Sequence, residues 1–207
     1  GNNAKNGGAV LINQSRGIEF KQCRFVENTS DLWGGAVYIN LSNIPDQETI
    51  LQNCIFWNQS ATFGGAIFGY KSKINIIHCA LSGNRAEGFG DQPIGGGLYC
   101  TSESELLIKN SIFHDNLGGD SPHMYFDASS HVSITFSDIV DGWEPIEDNW
   151  EGEYNIFVNP LFVNPYYDYT DLSNSGDFHL QDISPCIFSG ENGVDMGAYD
   201  GIYGEWE

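Results

Sequence analysis

The stretch Gly34-Gly35-Ala36-Val37-Tyr38, followed by Asn53-Cys54-Ile55-Phe56 and Asn58, contains the pattern on which the whole chain is built. Closely similar blocks occur three more times, beginning at Gly7, Gly64 and Gly95. The first glycines of successive blocks are therefore 27, 30 and 31 residues apart. A repeated motif whose spacing varies by a few residues is typical of a solenoid whose loops differ in length.

Short apolar runs separated by turn residues predict an all-β fold. Leu, Ile, Val and Phe occur in runs too short for helices, and 25 glycines interrupt them. Each repeat contains two or three strand-like pieces, for example Ile18 to Phe20 and Cys23 to Phe25, with a bend between them. Three short strands per turn predict a right-handed parallel β-helix of about five to six turns.

Equivalent residues of successive turns should form columns along the coil axis. The same position of successive repeats is occupied by Cys23, Cys54 and Cys79. Neighbouring strands of a parallel sheet lie about 4.8 Å apart, whereas the Cβ atoms of a disulfide lie about 3.8 Å apart, so these cysteines are too distant to be bridged. We therefore expect buried free thiols. Two polar columns are expected to hydrogen-bond along the axis. The first ends each turn at Asn28, Asn58, Asn84 and Asn116, and the second comprises Gln22, Asn53, His78 and Asn110.

The charge balance restricts the partners that this chain can have. Its 28 acidic residues and 8 Lys and Arg give a formal net charge of −20. Nucleic acid is excluded because binding it requires clustered Lys and Arg to neutralise phosphates. Direct membrane insertion is not expected, because no apolar run approaches the ~20 residues that span a bilayer. An acidic surface of this kind is compatible with an extracellular location or with cation binding.

The repeat unit resembles that of a known family. Its elements are the motif GGA[VI] or GGGLYC, a later [NQH]-C-x-[FL] and an Asn at the corner. They are similar to the repeats of right-handed parallel β-helix proteins of bacterial surfaces and secretions, including polymorphic outer-membrane proteins of the GGAI/FxxN type. The resemblance covers Gly7 to about Asn116. It implies a secreted or cell-surface location and specifies the fold better than the activity, because such helices include adhesins, passenger domains, lyases and glycosidases.

The C-terminal part departs from the repeat. Residues 122–126 and 132–140 replace the glycine block and the later strands, so a fifth turn is expected. The segment from Asn159 to Tyr199 resembles the end of many secreted bacterial β-helix proteins, which implies that it caps the helix and buries the open edge of the last turn. We therefore expect one β-helix domain over 1–207, with repeats in 7–140 and an acidic loop and C-terminal cap in 141–207. The first residues look like the end of an earlier loop, which suggests a fragment of a longer chain.

Aromatic residues form the first candidate binding surface. Strand alternation places large side chains on one side of each glycine block and aliphatic ones on the other. If the aliphatic column faces the core, the aromatic column forms an outer stripe on which sugar rings could stack; the reverse orientation is the alternative. The stripe comprises Tyr38, Phe68, Tyr99 and Tyr125, and the loop residues Trp33 and Trp57 are expected to rim it.

An acidic insert, Asp138 to Glu153, forms the second candidate site. Calcium takes six to eight oxygen ligands, and Asp138, Asp141, Glu144 and Asp148 could supply several of them. The alternative is a solvated acidic loop, since the spacing matches no EF-hand. Calcium is therefore the one cofactor that the sequence leaves open.

No arrangement of catalytic residues emerges from the spacing, so we assign no catalytic residue. We interpret the chain as a non-catalytic extracellular or cell-surface module, a rigid scaffold or adhesin-like arm that contacts a glycan or a surface protein. One alternative is a polysaccharide-active enzyme, a lyase or glycoside hydrolase. Another is a structural subunit that self-associates end to end, because unpaired strand edges recruit other strands.

Overall fold

Alternating buried and exposed residues build short strands throughout the chain. The computed structural model describes residues 1–41, 47–88, 95–119, 122–140, 150–165 and 176–199. In β7, Glu48–Gln52, the side chains of Thr49 and Leu51 are buried, and those on either side are not. One short 3₁₀ turn, Glu191–Gly193, is the only helical element in this described part. The described residues thus contain no helix that could cross a bilayer.

The strands follow one another as turns of a coil. The first turn has β1 Asn3–Asn6, β2 Val10–Asn13, β3 Ile18–Lys21 and β4 Arg24–Val26. The second has β5 Thr29–Trp33, β6 Val37–Asn40, β7 Glu48–Gln52 and β8 Ile55–Trp57. The third has β9 Ser60–Ala61, β10 Ile67–Tyr70, β11 Lys73–Ile77 and β12 Ala80–Ser82. The fourth has β13 Arg85–Ala86, β14 Leu98–Thr101, β15 Glu105–Lys109 and β16 Ile112–His114. The fifth has β17 Met124–Phe126, β18 His131–Thr135 and β19 Asp138–Ile139, and β20 Trp150–Glu153 follows.

Equivalent strands of successive turns pair in parallel and form four sheets along the axis. Sheet A is β1-β5-β9-β13, and sheet B is β2-β6-β10-β14-β17. Sheet C is β3-β7-β11-β15-β18-β20, and sheet D is β4-β8-β12-β16-β19. The predicted right-handed parallel β-helix is confirmed, with about five turns. The fourth short strand of most turns was not predicted, because loops such as 29–33 do not alternate clearly.

The two glycines of each block have different structural roles. The first adopts a left-handed backbone, with φ of +63° at Gly34 and +62° at Gly64. The second is required because the turns approach closely at this position. A Cβ atom on Gly35 would lie 2.2 Å from the carbonyl oxygen of Gly65, and one on Gly65 would lie 2.2 Å from that of Gly96. The repeated glycine pair therefore allows the chain to turn and the turns to stack.

The cysteine column is confirmed. All five cysteines are free thiols, and the strands that follow Cys23, Cys54 and Cys79 pair in register. Cys54 and Cys79 are buried, whereas Cys23 in the first turn is half-buried. The Sγ atom of Cys79 lies 3.3 Å from the carbonyl oxygen of Leu51 in the preceding turn. The thiols therefore pack in the core and donate weak hydrogen bonds between turns.

Both polar columns exist, with one correction. Asn58 is not in the corner column: it is exposed with φ of +53°, and the buried Gln59 takes its place. Asn28 Nδ2 donates to Gln59 Oε1 at 3.0 Å, and Asn84 Nδ2 donates to Asn116 Oδ1 at 2.9 Å. A left-handed residue precedes the corner in each of these turns, namely Glu27, Asn58, Gly83 and Asp115, so Asn58 is equivalent to the other three. In the second column, His78 Nε2 lies 3.0 Å from Asn110 Nδ2, so the predicted place of His78 is confirmed.

The C-terminal segment does not lie where the resemblance implied. The parallel sheets extend from Asn3 to a bridge at Ile156, which is beyond both ends of the predicted 7–140. The antiparallel strands β21, Phe162–Asn164, and β22, Asp177–Leu180, then lead to residues 181–199. In its described part this segment packs along the side of sheet D, whereas we expected it over the end of the coil. Its apolar residues form one cluster with the outward residues of sheet D: Ile55, Trp57, Ala80, Ile112, Phe162, Phe178, Cys186, Met196 and Ala198.

Polar contacts attach this segment to several turns. Arg24 in the first turn donates to the carbonyl oxygen of Gly176 at 2.8 Å. Asn53 Nδ2 in the second turn donates to the carbonyl oxygen of Ala198 at 3.0 Å. Lys109 Nζ in the fourth turn lies 2.5 Å from the carboxylate of Glu191. Cys186 also contacts Asp138 in the fifth turn, so the segment is a lateral strap that runs along the coil from the first turn to the fifth.

Candidate functional site

The aromatic column lies on the outside of sheet B. Register pairing aligns Tyr38 with Phe68, Phe68 with Tyr99, and Tyr99 with Tyr125. The aliphatic column beside it, including Val37 and Ile67, is fully buried in the core. The rings therefore point away from the coil interior, which is the orientation that a binding stripe requires.

Much of the column is nevertheless inaccessible, because the rings cover one another. Tyr38 and Phe68 are only 9% and 6% exposed. Trp33 packs over both, with ring centroids 5.5 and 5.7 Å away. The expectation of an open stripe is therefore wrong at Tyr38 and Phe68.

The other end of the column is more open. Phe68 and Tyr99 stack with centroids 5.0 Å apart, and Tyr99 lies 4.7 Å from Tyr125. Tyr99 and Tyr125 are half-buried, and burial raises the pKa of Tyr99 to about 12. Binding of a sugar ring at these two residues stays a prediction.

Trp57 does not rim the aromatic column. It lies on sheet D, where its side chain is 6% exposed and its ring is 6.4 Å from that of Phe178. The lateral strap covers it, which sequence reasoning missed because the strap is distant from Trp57 along the chain. Trp57 therefore stabilises the strap and is not exposed to a ligand.

Asp138 is the one proposed calcium ligand that the structure describes. It is fully buried between sheet D and the strap. One carboxylate oxygen accepts a hydrogen bond from the backbone N–H of Val158 at 3.0 Å, and the other lies 3.3 Å from Cys186 Sγ. Burial raises the pKa of Asp138 to about 6, although these two hydrogen bonds act to lower it.

These surroundings are unsuitable for calcium at Asp138, because its oxygens already accept from a backbone N–H and a thiol. Within the described ranges, no three His, Cys, Asp or Glu side chains are grouped as metal ligands. The other proposed ligands, Asp141, Glu144 and Asp148, lie outside the described residues. A calcium site in that loop stays a prediction.

The outer face of sheet C carries a groove that sequence reasoning missed. Strands β7, β11, β15 and β18 share one burial pattern, in which the first, third and fifth residues point outward. A cavity of about 540 Å³ is lined by outward residues of these strands, including Glu48, Lys73, Asn75, Leu107 and His131. The signal was present in the alternation, but the outward residues are of mixed character and do not stand out in the sequence.

A second cavity adjoins the first. It has a volume of about 470 Å³ and lies between sheet C and residues 191–194 of the strap. Gln52, Ile77 and Lys109 line it on the sheet side, and Leu107 lines both cavities. The two cavities meet at Leu107 and are here called together the sheet C groove, which residues 191–194 of the strap bound on one side.

Charged side chains in the sheet C groove are paired locally. Lys73 Nζ lies 3.5 Å from Glu105 Oε2, and Asn75 Nδ2 donates to Glu48 Oε2 at 3.0 Å. The contact of Lys109 with Glu191 closes the strap side. The groove therefore presents both hydrogen-bond donors and acceptors without a strong charge of one sign.

Comparison with known proteins identifies the repeat. The family model described as "Right handed beta helix region" matches residues 5–144. "Probable autotransporter YfaL" of Escherichia coli is 31% identical over 105 residues, which are 46% of this chain and 8% of that protein. "Probable outer membrane protein PmpF" of Chlamydia trachomatis is 26% identical over 174 residues, which are 81% of this chain and 16% of that protein.

A eukaryotic protein matches as well. "Metabotropic glutamate receptor-like protein R" of Dictyostelium discoideum is 30% identical over 196 residues, which are 83% of this chain. The chain spans only 8, 16 and 11% of the length of the three relatives, in the order given. No solved structure matches the chain significantly.

Proposed function

Because the chain belongs to the right-handed β-helix family, we propose that it is a non-catalytic, surface-associated module that acts as a rigid scaffold and contacts other molecules through its sides. The observation that carries the proposal is the uninterrupted parallel register of sheets B and C. Sheet B pairs five strands and sheet C six, so the side of the coil is a continuous surface. A coil joined by ladders and a strap resists bending better than a set of loops.

A location outside the cell is the second part of the proposal. Two relatives are named as an autotransporter and an outer membrane protein, although each identity is low. The net charge of −20 supports solubility of an exposed rod and argues against anionic partners. Contact with a glycan or a surface protein fits these properties.

Binding and turnover assays test the proposal together. The purified chain is applied to arrays of glycans and of surface glycoproteins, and reducing ends and unsaturated products are measured with the same ligands. We expect binding without turnover. Turnover that is lost on substitution of one acidic residue would instead establish an enzyme, and binding to neither array would contradict a contact function.

End-to-end association is a second candidate, favoured by the first turn. Val10, Ile18, Phe20 and Cys23 pack against the core but are only partly buried. A second copy placed over this turn would bury them and pair with strands β1 to β4. Light scattering at several concentrations tests this: the average mass should rise with concentration, and a constant monomer mass would contradict it.

A further inference from the structure

At their first and third residues, both of which point outward, strands β7, β11, β15 and β18 of sheet C alternate in character with a period of two rungs. Rungs β7 and β15 each present a carboxylate followed by an aliphatic side chain, Glu48 with Ile50 and Glu105 with Leu107. Rungs β11 and β18 each present a basic side chain followed by a small polar one. These are Lys73 with Asn75, and His131 with Ser133. The same pair of surfaces therefore occurs twice over these four rungs.

We propose that the sheet C groove binds a neutral, extended β-1,4-linked glycan that lies parallel to the coil axis. The proposal rests on the contact function proposed above and names the surface and ligand class. Two rungs of a parallel sheet span about 9.6 Å. The disaccharide unit of a β-1,4-linked ribbon is close to this length. Successive sugars of such a ribbon are turned over, so alternate residues present opposite edges to the protein.

The side chains of the groove suit such a ligand. Leu107 lines the groove, is half-buried and provides an apolar platform for the C–H face of a sugar; Ile50, two rungs away in the same outward column, is also half-buried and extends this apolar surface. Asn75, which lines the groove on the rung between them, provides a donor and an acceptor for hydroxyl groups, and Ser133 continues the column on the rung beyond Leu107. The strap wall adds the ion pair of Lys109 with Glu191 beside the same strands.

Electrostatics select a neutral ligand. Lys73 is already paired with Glu105, so the groove offers no free cluster of cations for a polyanion among the described residues. The net charge of −20 adds a general repulsion of anionic chains. Neutral hydroxyl groups, by contrast, can add to the existing pairs without breaking them.

Isothermal titration calorimetry with defined oligosaccharides tests the proposal. Cellohexaose is the β-1,4-linked ribbon, and maltohexaose has the same composition with α-linkages that do not form a ribbon. We expect cellohexaose to bind, with affinity rising up to about four sugars and little further gain beyond that length, because four rungs line the groove. Equal binding of maltohexaose, or no binding of cellohexaose, would overturn the proposal.

A matched pair of variants locates the site. Leu107→Ser removes an apolar platform from the groove, and we expect it to weaken cellohexaose binding by at least about tenfold. Leu11→Ser makes the same change on the outside of sheet B, where Leu11 is 55% exposed, and should leave binding unchanged. Circular dichroism checks that both variants are folded, and Asn75→Ala provides a second groove variant that retains the apolar platforms.

The results separate this inference from the proposed function. If the chain binds array glycans or glycoproteins but Leu107→Ser and Asn75→Ala bind as the unmodified chain does, the contact function holds and the groove assignment is wrong. If Leu11→Ser is the weakened variant, the first-turn end of the outer face of sheet B, beside Tyr38, is the site. If neither cellohexaose nor any array component binds, both proposals fail.

Discussion

The buried carboxyl of Asp138 should make the chain less stable at neutral pH than at mildly acidic pH. Its pKa is about 6 in the folded protein, against 3.8 for an ordinary Asp, because burial disfavours the charged form. This contribution to folding is fully present below about pH 4 and is lost as the pH rises through 6. A shift of about two units at 1.36 kcal/mol each corresponds to about 3 kcal/mol at pH 8.

The variant Asp138→Asn isolates this effect from the other carboxylates. Asparagine keeps an oxygen that can accept from the N–H of Val158, but it never ionises. We expect the variant to equal the unmodified chain near pH 4 and to be more stable by about 2 to 3 kcal/mol at pH 8. Urea unfolding followed by circular dichroism at pH 4, 5, 6, 7 and 8 measures the difference in free energy of unfolding.

The control for this experiment is Asp182→Asn, which changes an exposed carboxylate on the strap. It should show no comparable gain at high pH. If Asp138→Asn is instead less stable than the unmodified chain at pH 8, the charged carboxylate stabilises the fold. The argument from burial would then be refuted.

Three further predictions, each checked by urea unfolding, concern the corner column, the stacking of the turns and the hydrogen-bonded carboxylate of Asp127. Asn84→Ala removes a fully buried amide from the corner column and should lower the free energy of unfolding by about 2 to 4 kcal/mol. The control Asn13→Ala, at an exposed position, should lower it by less than about 0.5 kcal/mol. Equal losses would contradict the role of the hydrogen-bonded column. Gly65→Ala would place a Cβ atom 2.2 Å from a backbone oxygen and should cost at least about 3 kcal/mol. Gly17 has a left-handed backbone, with φ of +59°, and nothing within 4 Å of an added Cβ atom, so Gly17→Ala should cost only the backbone strain of about 1 to 2 kcal/mol. A comparable loss at both glycines would contradict the stacking argument. Burial acts to raise the pKa of Asp127, but hydrogen bonds from one backbone N–H and three hydroxyl groups lower it to about 2. Because solvent screens this partly exposed carboxylate, folding stability should fall by about 1 kcal/mol or less as the pH drops from 4 to 2. Asp127→Asn should lose this dependence, and its persistence in the variant would contradict the assignment.

Residues that repeat along the sequence could be placed before the structure was known. Residues at the same position of successive repeats must pack in the same way. Cys54 was therefore predicted to be equivalent to Cys79, and Val37 to Ile67, and the structure confirms both. The error at Asn58 arose because two adjacent polar residues compete for one corner. Only the backbone shows that Asn58 takes the left-handed turn and that Gln59 reaches the ladder.

Residues that do not repeat were harder to place, and they determine which surfaces a ligand can reach. Trp57 looked like part of an exposed rim, but contacts between the strap and sheet D bury it. The strap has no internal period, so its path is set by long-range contacts such as that of Asn53 with Ala198. In its described part, the same strap packs on sheet D and bounds the outer face of sheet C at Glu191. Contacts between residues far apart in the sequence, and not the repeat, therefore determine how these two faces of the coil differ.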